Sequence, residues 1–339
     1  MIKLGYGLIT CQTHPDDPRD WQALYAEALE LASIAESAGA ESIWVSEHHF
    51  TDDGYLPSLL PLMSALSVVT TTASIGSAMV LVPLHDPIRL AEDAAVADLI
   101  SGGRIILGLA LGWREEEFAV LDKSTKHRVR ALETAIAVCR TGWRGEPTKT
   151  SDDGNHYGYI APQPANGRIP IWVGAGAPAA LRRVGRLADG FMATNCTPDE
   201  LAASVRTVRE EAQRHGRDPD AIETAVHLQT FVTDDADPWA VARDHILYQT
   251  WKYTEIAPKF GFDGALQRHP EPDSQFESWV RDISVVGTAD QVAERIHDYA
   301  DRVEGNLHFV ARSYFPGLGA TRQRENAQAI AEIRRTLGL

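Results

Sequence analysis

Glu47, His48 and His49 stand in a row, with Phe50 behind them, at the end of an apolar run, Ser42-Ile43-Trp44-Val45-Ser46. A glycine turn at Gly39 leads into that run, which has the composition of a buried β-strand. A carboxylate beside imidazoles at the carboxyl end of such a strand is where parallel α/β proteins keep their chemistry. Side chains alternate faces along a strand, so His48 and His49 are predicted to point to opposite sides. At most one of them then faces the interior, which argues against both ligating one metal, and no metal ligand is assigned. An imidazole next to a carboxylate in a partly dry pocket can act as a general base, or stabilise a negative oxygen, near neutral pH. The plain alternative is a helix-facing histidine satisfied by a carbonyl.

Three further segments have types and spacings that bear on ligand binding. Ile171-Trp172-Val173-Gly174-Ala175-Gly176-Ala177-Pro178 reads as a strand, a small-residue turn and a helix start with proline in its first turn. Free N–H groups at a helix amino terminus bind phosphate, so Gly174, Ala175, Gly176 and Ala177 are candidate phosphate contacts. Gly108-Leu109-Ala110-Leu111-Gly112-Trp113 ends another strand pattern, and a glycine such as Gly112 lets a flat ligand approach the backbone. Pro83-Leu84-His85-Asp86-Pro87 follows a third, and its second proline is predicted to start a helix.

Elements that could position these groups alternate along the whole chain of 339 residues. Strands are predicted at Lys3–Thr10, Ser42–Ser46, Ala73–Val82, Arg104–Leu111, Ile169–Val173, Gly190–Thr194, Thr224–Val232 and Leu307–Tyr314, with helical patterns between them. Eight strand–helix units point to α/β architecture, a single-domain (β/α)8 TIM barrel, with a doubly wound open sheet as the alternative. The Lys3 strand should then pair beside the Leu307 strand. The stretch Asp234–Asn306 is too long for a barrel loop and carries Trp239, Tyr248, Trp251, Tyr253, Phe260, Phe262 and Trp279. It is the candidate substrate lid, with Trp251 and Tyr253 as candidate substrate contacts and Cys11 as a third. The same aromatics could instead form the insertion's own core.

Hydrophobic residues are 44% of the chain, charged residues 23%, and the net charge is −15. That balance fits a globular protein and disfavours nucleic acid and anionic membranes as partners. Cys11, Cys139 and Cys196 are distant and odd in number, with no Cys-x-x-Cys pair, so no zinc ribbon or disulfide framework is indicated. No signal-peptide core or membrane-length apolar run is present, and a cytoplasmic location is expected.

Taken in order, Trp44–Phe50, Gly76–Asp93, Gly103–Phe118, Tyr157–Asp189 and Val286–Arg295 resemble the bacterial luciferase-like, flavin-dependent oxidoreductase family over nearly the whole chain. The resemblance implies a flavin at the carboxyl face of the barrel. It assigns His48 the role of active-site imidazole in the reaction of reduced flavin with oxygen, with Glu47 as its electrostatic neighbour. It implies that Ser77, Ala78 and Met79 form a bulge supporting the ring, with a cis bond between Ala78 and Met79. Gly174–Ala177 match the phosphate turn. Where that branch places a phosphate-binding arginine this chain has Leu111, so backbone amides would carry the phosphate. The expected activity is an FMN-dependent monooxygenase using O2 and an organic small molecule, as a homodimer, with reduced FMN supplied by a separate flavin reductase. The alternatives are a deazaflavin (F420)-dependent hydride-transfer oxidoreductase and a non-catalytic flavin-binding protein.

Overall fold

The computed structural model describes residues 1–150, 154, 156–255, 270–303 and 305–339. Eight parallel strands form its centre: β1 (Ile2–Ile9), β2 (Ser42–Val45), β3 (Ser74–Ser77), β4 (Ile105–Ala110), β5 (Ile171–Gly174), β6 (Gly190–Thr194), β7 (Glu223–Val232) and β8 (Leu307–Arg312). Each pairs with the next, β7 pairs with both β6 and β8, and β8 returns to β1 in a register from Ile2↔Leu307 to Gly7↔Arg312. The sheet is therefore a closed barrel, as the eight-unit pattern implied, with Lys3 opposite His308.

Two apolar layers follow from the period of two. Outward residues such as Leu4, Ile43, Val45, Leu107, Val173, Leu228 and Phe309 join the surrounding helices in one large core. Helix Trp21–Ser37 is typical: Asp20 caps it by accepting from the Ala23 N–H, and Leu24, Ala28, Leu31, Ala32 and Ala35 are its buried stripe. Inward residues form a second, smaller cluster of Leu8, Trp44, Ala78, Ile106, Trp172, Met192, Ala225 and Val310. Trp44 and Trp172 stack at 5.3 Å to make the floor of the barrel. Trp44 Nε1 donates to Ser42 Oγ, which lies 2.6 Å from His308 Nε2. Burial holds His308 neutral, with its pKa lowered to about 3.

Above this floor the same alternation continues into polar residues. On β2 and its extension the inward series runs Trp44, Ser46, His48; on β7 it runs Ala225, His227, Gln229; on β8 it runs Val310, Arg312. The apolar barrel interior thus becomes a polar mouth at the carboxyl ends of the strands, where TIM barrels build sites.

The third strand is interrupted. After Ser77 comes a cis peptide between Ala78 and Met79, as the resemblance implied, and pairing to β4 resumes at Val80–Leu81. A second non-proline cis bond joins Gly7 and Leu8.

The segment between β7 and β8 resolves into several parts. Helix Pro238–Glu255 is followed by helix Ser274–Asp282, a short strand Val285–Gly287 beside the end of β7, and helix Ala289–Arg302. The last is an ordinary barrel helix, started by a Thr288/Gln291 capping box. The candidate lid segment, Asp234–Asn306, thus contains this barrel helix as well as the elements before it. Trp239, Ile246 and Leu247 pack with Phe231, Val280 and Phe315 in a separate cluster, so part of the aromatic content does form a private core. Phe260 and Phe262 lie outside the described residues. No described helix is long and apolar enough to cross a membrane.

Candidate active site

A cavity of about 410 Å³ opens at the carboxyl ends of the strands, within the usual range for small-molecule sites. His48 enters it from the β2 end, almost fully buried. Three aromatic rings surround the imidazole: Tyr55 at 5.0 Å, Tyr253 at 5.3 Å and Trp113 at 6.1 Å, all near edge-on. Trp113 Nε1 donates to the Tyr253 hydroxyl at 2.9 Å, which ties helix Pro238–Glu255 to the loop after β4. Burial raises both phenols, Tyr55 to about 12, so they are neutral hydrogen-bonding groups at ordinary pH.

The carboxylate partner of His48 is Glu117, a residue from the short helix Glu115–Val120. Its Oε1 lies 2.9 Å from His48 Nδ1 and also accepts the His49 backbone N–H at 2.9 Å. Glu117 is fully buried, and its Oε2 has no hydrogen-bond partner among the described residues. Arg114 anchors the arrangement by donating to the His49 carbonyl and pairing with Glu116, 3.9 Å from Glu117. In the segment Gly112–Phe118 the sequence singles out the glycine, but three consecutive glutamates carry no mark of which one turns inward.

Glu47, the expected neighbour of His48, points the other way. Its Oε1 accepts from His49 Nε2 at 2.6 Å and His85 Nε2 at 2.9 Å, and its Oε2 accepts the Leu81 N–H at 3.0 Å. The reason is the pleat: adjacent residues face opposite sides, so Glu47 and His49 go together and His48 goes alone. Burial by itself would push Glu47 up, but the hydrogen bonds and charges of His49 and His85 outweigh it and hold the carboxyl at about 2. For His85, burial opposes ionisation and the Glu47 bond and charge overcome it, leaving the imidazole raised. Ligand atoms of Glu47, His49 and His85 all lie within 4.8 Å of one another. They could present a carboxylate and two imidazoles to a metal, but a cation there would have to displace both hydrogen bonds to Glu47.

One wall of the cavity is built mostly of small residues, with the Met79 side chain among them. Ala78, Met79, Ala110, Gly112, Gly174, Ala175 and Gly176 line it. Gly108 lies beneath: a Cβ there would sit 2.0 Å from the Ser77 carbonyl oxygen, so only glycine lets the interrupted third strand close on β4. Gly112 has φ +67°, a left-handed turn that carries the chain off the strand. This wall carries no charged side chain, and the Gly174–Gly176 turn shares the cavity with Thr194 and Asn195.

Several candidate residues fall elsewhere. Ser77 stands behind the wall, its Oγ donating to the Gly108 carbonyl at 3.0 Å and accepting the Gly108 N–H at 2.8 Å. Ala177 is exposed at the start of helix Pro178–Leu187 and does not line the cavity. Cys11 is fully buried in the layer between barrel and helices and does not line the cavity. Trp251 packs on Tyr248 at 5.9 Å, away from His48, because residues two apart on a helix face different directions; Tyr253 is the one that reaches the cavity. On the far wall, Arg312, Gln229 and His227 had no sequence signal beyond their inward strand register, and Thr250, on helix Pro238–Glu255, had none.

The chain belongs to the luciferase-like monooxygenase family, whose model matches residues 6–303. Among curated relatives it is 27% identical, over 88% of both chains, to the F420-dependent glucose-6-phosphate dehydrogenase of Mycolicibacterium smegmatis. Its fold is shared with an F420-dependent secondary alcohol dehydrogenase solved with an F420–acetone adduct, at TM-score 0.76 and 17% identity over 99% of this chain and 98% of that one. It is shared equally with the FMN-bound oxygenating constituent of 3,6-diketocamphane monooxygenase from Pseudomonas putida, at TM-score 0.74 and 20% identity over 97% of both. Fold and family together make this protein an oxidoreductase of the luciferase-like type.

Proposed function

We propose that this protein is a deazaflavin (F420)-dependent oxidoreductase that passes a hydride between its coenzyme and a small substrate with a hydroxyl or carbonyl carbon. The observation that carries the reading is the His48–Glu117 pair at the cavity wall, Nδ1 to Oε1 at 2.9 Å. An ionised carboxylate only accepts hydrogen bonds, so Glu117 selects the imidazole tautomer with its proton on Nδ1. That leaves the Nε2 lone pair for a ligand. His48 then takes the hydroxyl proton as the substrate is oxidised and returns it when a carbonyl is reduced. When bound, the deazaflavin supplies the carbon that accepts or donates the hydride. Ala78, Met79, Ala110 and Gly112 would hold its ring, and the amides of the Gly174–Gly176 turn its phosphate. Tyr55, Trp113 and Tyr253 keep water from His48, and helix Pro238–Glu255 acts as a cover through Tyr253.

The choice of F420 over FMN rests on the curated relatives named for F420, such as those of M. smegmatis and Rhodococcus jostii, each 27% identical over about nine-tenths of the chain. The FMN-bound P. putida neighbour supports the second reading, a monooxygenase using O2 and reduced FMN delivered by a separate reductase. Fluorescence-quenching titrations with F420 and with FMN separate the two. Saturable F420 binding is expected, followed by coenzyme reduction by hydroxy compounds with no need for oxygen. Binding of FMN alone, with label from ¹⁸O2 found in the product, would replace the first reading by the second.

A further inference from the structure

Arg312 occupies the last inward position of β8, in direct register with Gln229 of β7. It lines the cavity, yet it is only 7% exposed. Among the described residues its buried Nε has no hydrogen-bond partner, nor has the Gln229 Oε1 beside it, whose amide nitrogen donates instead to Thr250 Oγ1. No carboxylate compensates the guanidinium among the described residues. The groups that face it are the neutral phenols of Tyr55 and Tyr253 and the imidazole of His227, which burial and the Arg312 charge hold uncharged. The other buried arginines of the described chain are matched: Arg114 by Glu116 and Glu117, and Arg183 by Glu133. A desolvated cation without a counter-charge is costly, and it persists where a ligand brings the missing charge.

We propose that Arg312 is an oxyanion-binding subsite, which holds a carboxylate or phosphate on the substrate whose reacting carbon lies at His48. A planar guanidinium suits either group, since both accept its parallel N–H donors. Position favours the substrate over the coenzyme as the source of that charge. The phosphate turn Gly174–Gly176 belongs to β5, three strands around the barrel from β8. The rings of Tyr55 and Tyr253, by contrast, lie against His48, and their neutral phenols face Arg312. One molecule can therefore reach both residues along the aromatic wall. The assignment of substrate rests on the proposed hydride transfer, whereas anion binding by Arg312 does not.

The test uses the full-length protein without coenzyme, with inorganic phosphate and acetate as probes at fixed ionic strength, read by calorimetry and thermal shift. Wild type should bind phosphate saturably. Arg312→Gln should weaken that binding about tenfold to a hundredfold, and Arg312→Lys should retain part of it. Because Arg312 has no hydrogen bond to lose among the described residues, the melting temperature of Arg312→Gln without anion should equal or exceed wild type. Affinity for F420, or for FMN if that is the coenzyme bound, should stay within threefold. Equal phosphate binding by wild type and Arg312→Gln overturns the proposal. So does a drop in melting temperature, which marks a structural arginine, or a tenfold loss of coenzyme affinity, which gives the oxyanion to the coenzyme. A failure of F420 to bind would sink the proposed cofactor and leave the phosphate comparison readable.

Discussion

Glu117→Gln isolates what the buried carboxylate does for His48. The substitution keeps the shape of the side chain and removes its charge. The amide oxygen could still accept from His48 Nδ1 and the His49 N–H, both 2.9 Å from Oε1 in the native site. In that orientation a charged acceptor becomes a neutral one, a loss of about 1.5–3 kcal/mol, or roughly 10- to 150-fold in rate if expressed fully at the transition state. The new NH2 group, however, would occupy the Oε2 position, which has no partner among the described residues. A flip that turns NH2 toward His48 would select the wrong tautomer, an effect reaching about 10⁴-fold in a comparable acid–imidazole pair. The expected fall in kcat therefore lies between about tenfold and 10⁴-fold. Coenzyme affinity, measured by fluorescence quenching, should change little because Glu117 does not line the cavity. Steady-state turnover at saturating coenzyme, with that titration as control, is the assay. If kcat stays within threefold of wild type, Glu117 does not orient the reacting imidazole and the mechanism above is wrong.

Three further outcomes follow from the same geometry. His48→Ala should lower turnover by about 100-fold or more while coenzyme still binds, since a positioned acid/base contributes about 10²–10⁴. Gly108→Ala should destabilise the fold by about 3 kcal/mol, because its Cβ would meet the Ser77 carbonyl at 2.0 Å and Met79 Sδ at 2.6 Å; an unchanged melting temperature would mean the bulge yields easily. The Glu47 carboxyl is held at about 2 against an ordinary 4.5, so it contributes stability above pH 4.5 that disappears as pH falls toward 2. That contribution is about 3 kcal/mol at 1.36 kcal/mol per unit, and denaturant melts of Glu47→Gln should differ from wild type at pH 6 and converge near pH 2.

The barrel was legible in the sequence because strand and helix periods are local. Each β-run already carried its outward apolar series, and the inward set Trp44, Ser46, His48 needed only counting by two. The glycine and proline punctuation around Gly112 and Gly174 marked the small-residue wall for the same reason. That same pleat made His48 and His49 diverge, as expected, and it sends the Glu47 side chain to the side of His49. What only the closed structure decided was which distant groups meet. Glu117 reaches His48 across 69 positions, and Trp113 meets Tyr253 across 140. Arg312 meets Gln229 through strand register rather than spacing. Charge pairing and desolvation depend on separations in space, and those exist only after eight strands have closed into one ring.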